Sequence, residues 1–170
     1  SSRRSRLVTL VDIWNALENL ELSQYIAASI WFPFLEAIHV LTAAFLFGSI
    51  LMLDLRLVGW AGRRLAVSRL VAEVVPWTAG ASVLSILAGV GMFVTQANHY
   101  ATNRAFQIKM GLLLVAGLNM ALFHRRAVRS IAVWDTADDL PGAARLAGAC
   151  SIVLWLGVML AGRWIGHLSQ

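Results

Sequence analysis

The sequence predicts an all-α membrane protein, a transmembrane four-helix bundle with an N-terminal amphipathic interfacial helix. Of the 170 residues, 59% are hydrophobic and only 14% are charged, and the mean hydropathy is +0.71. These values are typical of integral membrane proteins and not of soluble domains. Four apolar stretches, each close to the ~20 residues that cross a bilayer as a helix, provide the expected spans.

Residues 1–30 are predicted to form a tail and a short amphipathic helix in the membrane interface. Apolar side chains recur there at helical spacing, with acidic residues between them. The apolar positions are Leu7, Val8, Leu10, Val11, Trp14, Leu17 and Leu20. A helix packed on a partner subunit would show the same pattern, so both interpretations stay open.

Residues 31–170 form the predicted membrane domain. Its spans cover about residues 31–53, 76–94, 106–123 and 146–168. Pro76 opens the second span, where the first turn of a helix tolerates proline. Small residues recur four apart and favour close helix packing in lipid: Ala44 and Gly48, Ala81, Ser85 and Gly89, Gly117 and Ala121, and Gly162 and Gly166.

The arginines predict the orientation of the bundle. Those near the spans lie mainly in the connections after the first and third spans, namely Arg56, Arg63, Arg64, Arg69, Arg125, Arg126, Arg129 and Arg145. Arg104 is their counterpart near the membrane on the other side. Because such positive charge stays in the cytoplasm, both termini are expected outside it. The Asp54-Leu55-Arg56 sequence is expected to anchor the first span and organise the cytoplasmic loop that follows.

The net charge of +5 does not indicate a nucleic-acid partner. The arginines flank apolar spans, as membrane loops require, and no basic stripe with interleaved aromatic residues occurs. Cys150 is the only cysteine, which excludes a disulfide framework and a thiolate metal site. The sequence also lacks phosphate-binding loops, nucleophile elbows and zincin motifs.

Ionisable residues within the spans provide the candidate functional site, because they are costly in lipid and by default indicate function. At 1.5 Å per residue, Glu36, His39, Lys109, Arg163 and His167 all fall in the outer part of the membrane. Other polar residues reach the same level from the second span and the loop after it, namely Gln96, Asn98, His99 and Asn103. The cytoplasmic halves of the spans are expected to hold nothing comparable.

His39 is the leading candidate, as an axial ligand of haem b or otherwise a ligand of a metal or a quinone. The alternative is a histidine satisfied by hydrogen bonds between helices. Glu36 and His39 are three residues apart, and Arg163 and His167 four apart, so each pair is predicted to share a helix face. On that arrangement Glu36 pairs with Arg163, or Arg163 holds haem propionates or another anionic group.

Lys109 has two interpretations, a propionate contact or a side chain that extends to the outer headgroups. If two histidines bind haem, the second is expected to be His167 in preference to His99, with helix tilt making up a depth difference of up to ~9 Å. His124 lies roughly 15 Å from the level of His39 and is predicted to be dispensable. A copper or zinc site would use His39, His99 and His167 as ligands.

Several short motifs run through the spans: Pro33-Phe34-Leu35-Glu36 with His39, Asp54-Leu55-Arg56-Leu57 with Gly59, Phe106-Gln107 with Lys109, Trp155-Leu156-Gly157, and Ala161-Gly162-Arg163-Trp164. Together they resemble a family of uncharacterised bacterial four-helix inner-membrane proteins, over nearly the whole chain beyond the amphipathic segment. That family is distantly similar to small cytochrome b-type membrane domains and to the membrane domain of copper-resistance protein D. The resemblance implies a bacterial inner membrane, haem b, and electron transfer to quinone. With that location, the arginine distribution places both termini in the periplasm.

The leading expectation is therefore a small membrane redox protein that binds haem b near the periplasmic face. It would pass electrons between a periplasmic partner and the quinone pool. The alternatives are a non-catalytic membrane subunit that docks or scaffolds a larger complex, and a protein that handles copper or zinc. Contact with the lipid bilayer is expected in all three cases, and whether the protein is an enzyme stays open.

Overall fold

Helices form the regular secondary structure of the described chain. The structure is a computed structural model that describes residues 2–62, 65–127, 135 and 140–167, without the side chains of residues 2–9, 126 and 127. Seven helices occur in these residues: α1 Ser2–Glu18, α2 Glu21–Ala28, α3 Trp31–Val58, α4 Val67–Thr95, α5 Ala97–Thr102, α6 Arg104–Ala127 and α7 Gly142–Ile165. α3, α4, α6 and α7 are long and apolar enough to cross a membrane. The predicted all-α fold with four spans is confirmed.

The main packing contacts link α4 to α3, α3 to α7, and α7 to α6. Among the described residues, α4 and α6 have no comparably extensive contact. They meet through the stacked rings of Phe93 and Phe106, whose centroids are 5.6 Å apart. Gly148 lets α7 approach α3, because a Cβ there would lie 3.0 Å from Leu57 Cβ and 3.1 Å from the carbonyl oxygen of Asp54.

The two ends of the bundle are closed in different ways. At one end, which we call the capped end, α1, α2 and α5 pack on one another and on the adjacent parts of α3, α4 and α6. At the opposite end, which we call the loop end, the start of α4 meets Asp135 of the α6–α7 connection. There the Asp135 carbonyl oxygen accepts a hydrogen bond from the Val67 N–H at 3.2 Å.

The N-terminal segment contains two helices, where the sequence predicted one. α1 is fixed to α5 by polar contacts: the Asn98 N–H donates to Glu18 Oε1 at 2.8 Å, and Asn98 Nδ2 donates to Asn15 Oδ1 at 2.7 Å. Leu10 and Val11 on α1 are 46% and 48% exposed. Those apolar side chains are therefore open to a membrane interface or to a partner.

Two helix ends differ from the positions that the sequence predicted. Pro76 lies inside α4 instead of in its first turn. α4 starts at Val67 because Val67 belongs to the small core at the loop end and Val71 packs against that core. A proline inside a helix is better tolerated in membrane spans than in water. α7 ends at Ile165, so His167 lies in a turn beyond the helix.

The predicted stripes of small residues coincide with the helix contacts only in part. Ser85 is buried against α3, but Ala44, Gly48, Gly117 and Ala121 are exposed. Closer approaches occur at other glycines, where an added Cβ would lie 2.9 Å from Leu35 (at Gly91) and 3.1 Å from Leu112 (at Gly157). The spacing of small residues shows that they share a helix face, but not that the face meets another helix.

Several of the arginines that predict the orientation lie outside the described residues, namely Arg63, Arg64 and Arg129. The side chain of Arg126 is likewise outside the described part. The expected orientation, with both termini in the periplasm, therefore stays a prediction.

Candidate functional site

The His39 side chain on α3 is half-buried against α4. Its Nδ1 atom lies 2.8 Å from the carbonyl oxygen of Ser85 and 3.2 Å from the Ser85 hydroxyl oxygen. One turn further along α4, a Cβ at Gly89 would lie 3.2 Å from His39 Cε1. Gly89 thus leaves the space that the imidazole ring occupies against the α4 backbone.

The hydrogen bond to Ser85 determines which His39 nitrogen carries the proton. A carbonyl oxygen can only accept, so Nδ1 is the donor in this contact. In the neutral ring Nε2 then holds a free lone pair. Histidines that bind metals are commonly oriented in this way, by an Nδ1–H bond to a backbone carbonyl. The contact therefore suits His39 to the role of a ligand through Nε2.

Lys109 on α6 is a cation whose charge acts on this site. Its half-buried side chain crosses α7 at Gly162, where an added Cβ would lie 3.6 Å from Nζ and 3.8 Å from Cδ and Cε. Lys109 is near enough to His39 for its charge to act on the imidazole. Among the described residues, no ion pair forms at Nζ. A cation next to a neutral imidazole favours an anionic or electron-rich ligand.

An aromatic cluster closes the capped end beside this site. The Phe93 ring lies 5.6 Å from Trp14 in an edge contact and 6.2 Å from Tyr100 in a stacked one. Tyr100 also lies 5.6 Å from Phe106. Burial raises the pKa of the Tyr100 hydroxyl, and the charge of Glu36 raises this pKa further.

The predicted pairing of Glu36 with Arg163 does not form among the described residues. Both side chains are exposed, and among the described residues no ion pair joins them. The physical reason is helical geometry. Gly162 faces Lys109, and successive helical residues are turned by about 100°, so Arg163 points away from that contact. The cation that faces the neighbouring helices is Lys109.

The other histidines do not meet His39. His99 and His167 are both exposed, and the His99 ring contacts Tyr100, with 5.6 Å between centroids. The predicted shared face of Arg163 and His167 does not form, because His167 lies after the end of α7. No group of three potential metal ligands occurs within the described residues. His124 is exposed on α6.

The sequence was compared with models of known protein families. A model of a family of unknown function, DUF6644, matches residues 15–168. The chain belongs to that family. No curated protein and no solved structure matches the chain. The DUF6644 match includes α2 to α7 and with them every candidate site residue, in agreement with the uncharacterised family predicted from the motifs.

Asn103 has a structural role that the sequence analysis missed, because it caps α6 and links α6 to α7. Its Oδ1 accepts hydrogen bonds from the N–H groups of Ala105 at 2.9 Å and Phe106 at 3.3 Å. This caps the start of α6. Its Nδ2 donates to the carbonyl oxygen of Ile165 at 3.2 Å, which ties α6 to the end of α7. An asparagine just before an apolar helix was the available signal.

The loop end holds buried charges that contradict the expectation of a single polar layer. Arg56 is 1% exposed and Asp54 is 6% exposed. Arg56 Nε donates to the Leu65 carbonyl oxygen at 2.9 Å, so Arg56 organises the α3–α4 connection as predicted. Arg56 was nevertheless expected in a loop, whereas it lies within α3. Asp54 and Arg56 come at the end of the first apolar stretch. The sequence alone therefore assigns them to the boundary of the membrane span and gives no indication that they are buried.

Proposed function

We propose that the protein is a small membrane redox protein that binds haem b near the capped end, with His39 as axial ligand through Nε2. The observation that carries this proposal is the 2.8 Å contact from His39 Nδ1 to the Ser85 carbonyl oxygen. It holds the ring in one orientation and leaves Nε2 unprotonated in the neutral form. Rare ionisable groups inside spans are functional by default, and this one has the geometry of a ligand.

The charge of the surrounding residues is suitable for the anionic propionates of haem b. Lys109 is half-buried and acts electrostatically on His39, so it would take the place given to Arg163 in the sequence interpretation and contact a propionate. The limited packing between α4 and α6 leaves the bundle less tightly closed on that side. A second axial histidine would be His167, or else His99. Both are exposed at the capped end.

Haem b would supply one-electron chemistry, and the protein would bind, orient and electrostatically tune it. We propose that electrons pass between a periplasmic redox partner and the quinone pool of a bacterial inner membrane. The support for this location is the arginine distribution and the motif resemblance to small cytochrome b-type domains. A quinone could also bind directly, since an imidazole and an ammonium group favour its electron-rich oxygens.

The visible spectrum of the purified full-length protein tests this proposal. A Soret band in the wild type is expected, and it should disappear or change to a five-coordinate form in His39→Ala. Gly89→Val provides an independent variant, because it keeps the histidine but intrudes on the ring position. His124→Ala is the matched control and should keep the wild-type spectrum. A wild type that stays colourless after expression with ample haem would contradict the proposal.

A non-catalytic docking subunit is the second candidate. The observation that favours it is the exposed apolar surface of α1, where Leu10, Val11 and Ile13 are 46–51% exposed while α1 is fixed to α5. A colourless protein that co-purifies with a stable membrane complex, and loses it when Val11 and Ile13 are changed to serine, would favour this function. Copper or zinc retained by a colourless protein would instead favour metal handling by His39, His99 and His167.

A further inference from the structure

A cavity of about 280 Å³ lies at the loop end, away from His39. Its walls are formed by α3, by the start of α4 and by the connection between them. The apolar lining includes Gly48, Leu51, Met52, Leu55, Leu65 and Leu70. The volume is near the lower end of the range for small-molecule sites. Since the walls belong to spanning helices, the cavity is suited to part of an apolar chain.

Arg56 adds a cation to this apolar wall. Nε donates to the Leu65 carbonyl oxygen at 2.9 Å, and Nη2 reaches the Asp135 carbonyl oxygen at 3.5 Å. Nη1 is buried and has no hydrogen-bond partner among the residues that the structure describes. A buried donor without a partner costs free energy, and more so when the group is charged. An anion that entered the cavity could remove this cost.

The acidic residue nearest to Arg56 in the sequence does not neutralise it. Among the described residues no ion pair joins Asp54 to Arg56. Asp54 is two residues away on the same helix, so the two side chains point to nearly opposite faces. The Asp54 carboxyl group is directed toward Ser151 of α7, and Asp54 does not line the cavity. The Asp135 carboxylate acts electrostatically on Arg56, but it bonds to Ser68 and does not line the cavity. Arg56 is therefore the charged side chain among the described residues that line the cavity.

We infer that this cavity binds an anionic amphiphile, whose phosphate or carboxylate pairs with Arg56 and whose alkyl chain lies on the apolar wall. Guanidinium groups pair with both kinds of anion through parallel N–H donors. The ligand source is either a phospholipid headgroup or a free fatty acid, because the two share this chemistry. The inference does not depend on the haem proposal, since the cavity and His39 are at different places in the bundle.

The test uses full-length protein in two kinds of nanodisc, each made mainly of phosphatidylcholine. One contains a minor fraction of phosphatidylglycerol and the other a minor fraction of oleic acid. Native mass spectrometry then measures which amphiphiles stay bound after release. Gly48→Leu adds a side chain at the cavity wall, at a position where an added Cβ meets nothing within 4 Å. Gly111→Leu is the matched control, because Gly111 is equally open but lies on α6.

Wild type and Gly111→Leu are expected to retain the anionic amphiphile in preference to phosphatidylcholine. Gly48→Leu and Arg56→Gln should each weaken retention about ten-fold or more, the scale of a charge-assisted hydrogen bond. Retention of phosphatidylglycerol or of oleate identifies the source. The inference would be overturned if Gly48→Leu and Gly111→Leu retained the anionic amphiphile equally. It would also be overturned if the wild type retained phosphatidylcholine as well as it retained the anionic amphiphile. If Arg56→Gln does not fold, the two glycine variants decide the question.

Discussion

The capped end and the loop end carry their charges in opposite ways. At the capped end Glu36 and Arg163 are exposed, whereas His39 contacts α4 and Lys109 contacts α7. At the loop end Arg56 and Asp54 are almost fully buried, and Arg56 bonds to the backbone of the connection after α3. One end therefore uses charge to fix its loops, while the other leaves an imidazole nitrogen available to a ligand.

We therefore expect the loop end to contribute mainly to the stability of the fold, and His39 to contribute mainly to ligand binding. A buried cation with backbone acceptors holds structure, because its loss leaves carbonyl groups without partners. A half-buried imidazole with one bonded nitrogen contributes little to folding, but it presents Nε2 in a defined direction. Substitutions at the loop end should therefore change the free energy of unfolding, and those at His39 should change ligand binding.

The largest effect on stability is expected from Arg56→Met. The change keeps the apolar length of the side chain but removes the bond to the Leu65 carbonyl oxygen. The free energy of unfolding should fall by about 2–3 kcal/mol, measured by SDS titration in mixed micelles. Arg104→Met at the capped end is the control. Arg104 is exposed, so a change within about 0.5 kcal/mol is expected. Equal losses of unfolding free energy in Arg56→Met and Arg104→Met would contradict the difference in stability that we expect between the loop end and the capped end.

Gly148→Ala should have the next largest effect. The added Cβ would lie 3.0 Å from Leu57 Cβ and 3.1 Å from the Asp54 carbonyl oxygen, so α3 and α7 must separate slightly. Overpacking of this kind costs about 1–3 kcal/mol. Gly117→Ala, at a helical position where nothing lies within 4 Å, should be neutral or stabilise by up to about 1 kcal/mol. The same sign of change at both glycines would contradict the packing of α7 on α3.

The sequence predicted the fold far better than the site. Four apolar runs determine the spans, because each is long enough to cross a bilayer. Depth along a helix could also be estimated, and it placed Lys109 and His39 in one polar layer. In the structure the charge of Lys109 acts on the His39 imidazole. Rotation about the helix axis could not be estimated. Gly162 and Arg163 are adjacent in sequence, yet the first faces Lys109 and the second is exposed.

Burial at the loop end could not be predicted for a related reason. Asp54 and Arg56 follow an apolar run, where charged residues ordinarily reach water. Their burial depends on contacts distant in sequence, such as Asp135 with Arg56 and Gly148 with α3. Only the three-dimensional structure contains those contacts.

A smaller effect at the loop end should depend on pH. Hydrogen bonds from the Ser68 hydroxyl and N–H lower the pKa of the Asp135 carboxyl group, at oxygen–donor distances of 2.5 Å and 2.7 Å. A lowered pKa means that the ionised form stabilises the fold above the unfolded value of about 3.9. This stability is lost as the pH falls through the folded pKa. Below about pH 4, melting curves should fall more steeply for wild type than for Asp135→Asn, and parallel curves would contradict this account.

The smallest effect is expected from the exposed charges of the capped end. Glu36→Gln and Arg163→Gln should each change the free energy of unfolding by less than about 0.5 kcal/mol. Because no ion pair joins them in the described structure, the double variant should show additive changes, with coupling below about 0.3 kcal/mol. A coupling of about 1 kcal/mol or more would show that the two side chains meet, as the sequence analysis predicted.

The most direct test of the central claim is the haem content of four single variants, normalised to folded protein. They are His39→Ala, His99→Ala, His124→Ala and His167→Ala. We expect haem to be lost in His39→Ala and unchanged in His124→Ala, because only His39 is oriented by the Ser85 carbonyl oxygen. A change from a six- to a five-coordinate spectrum in His167→Ala or His99→Ala would identify the second ligand. Full haem content in His39→Ala, with the wild-type spectrum, would contradict the account.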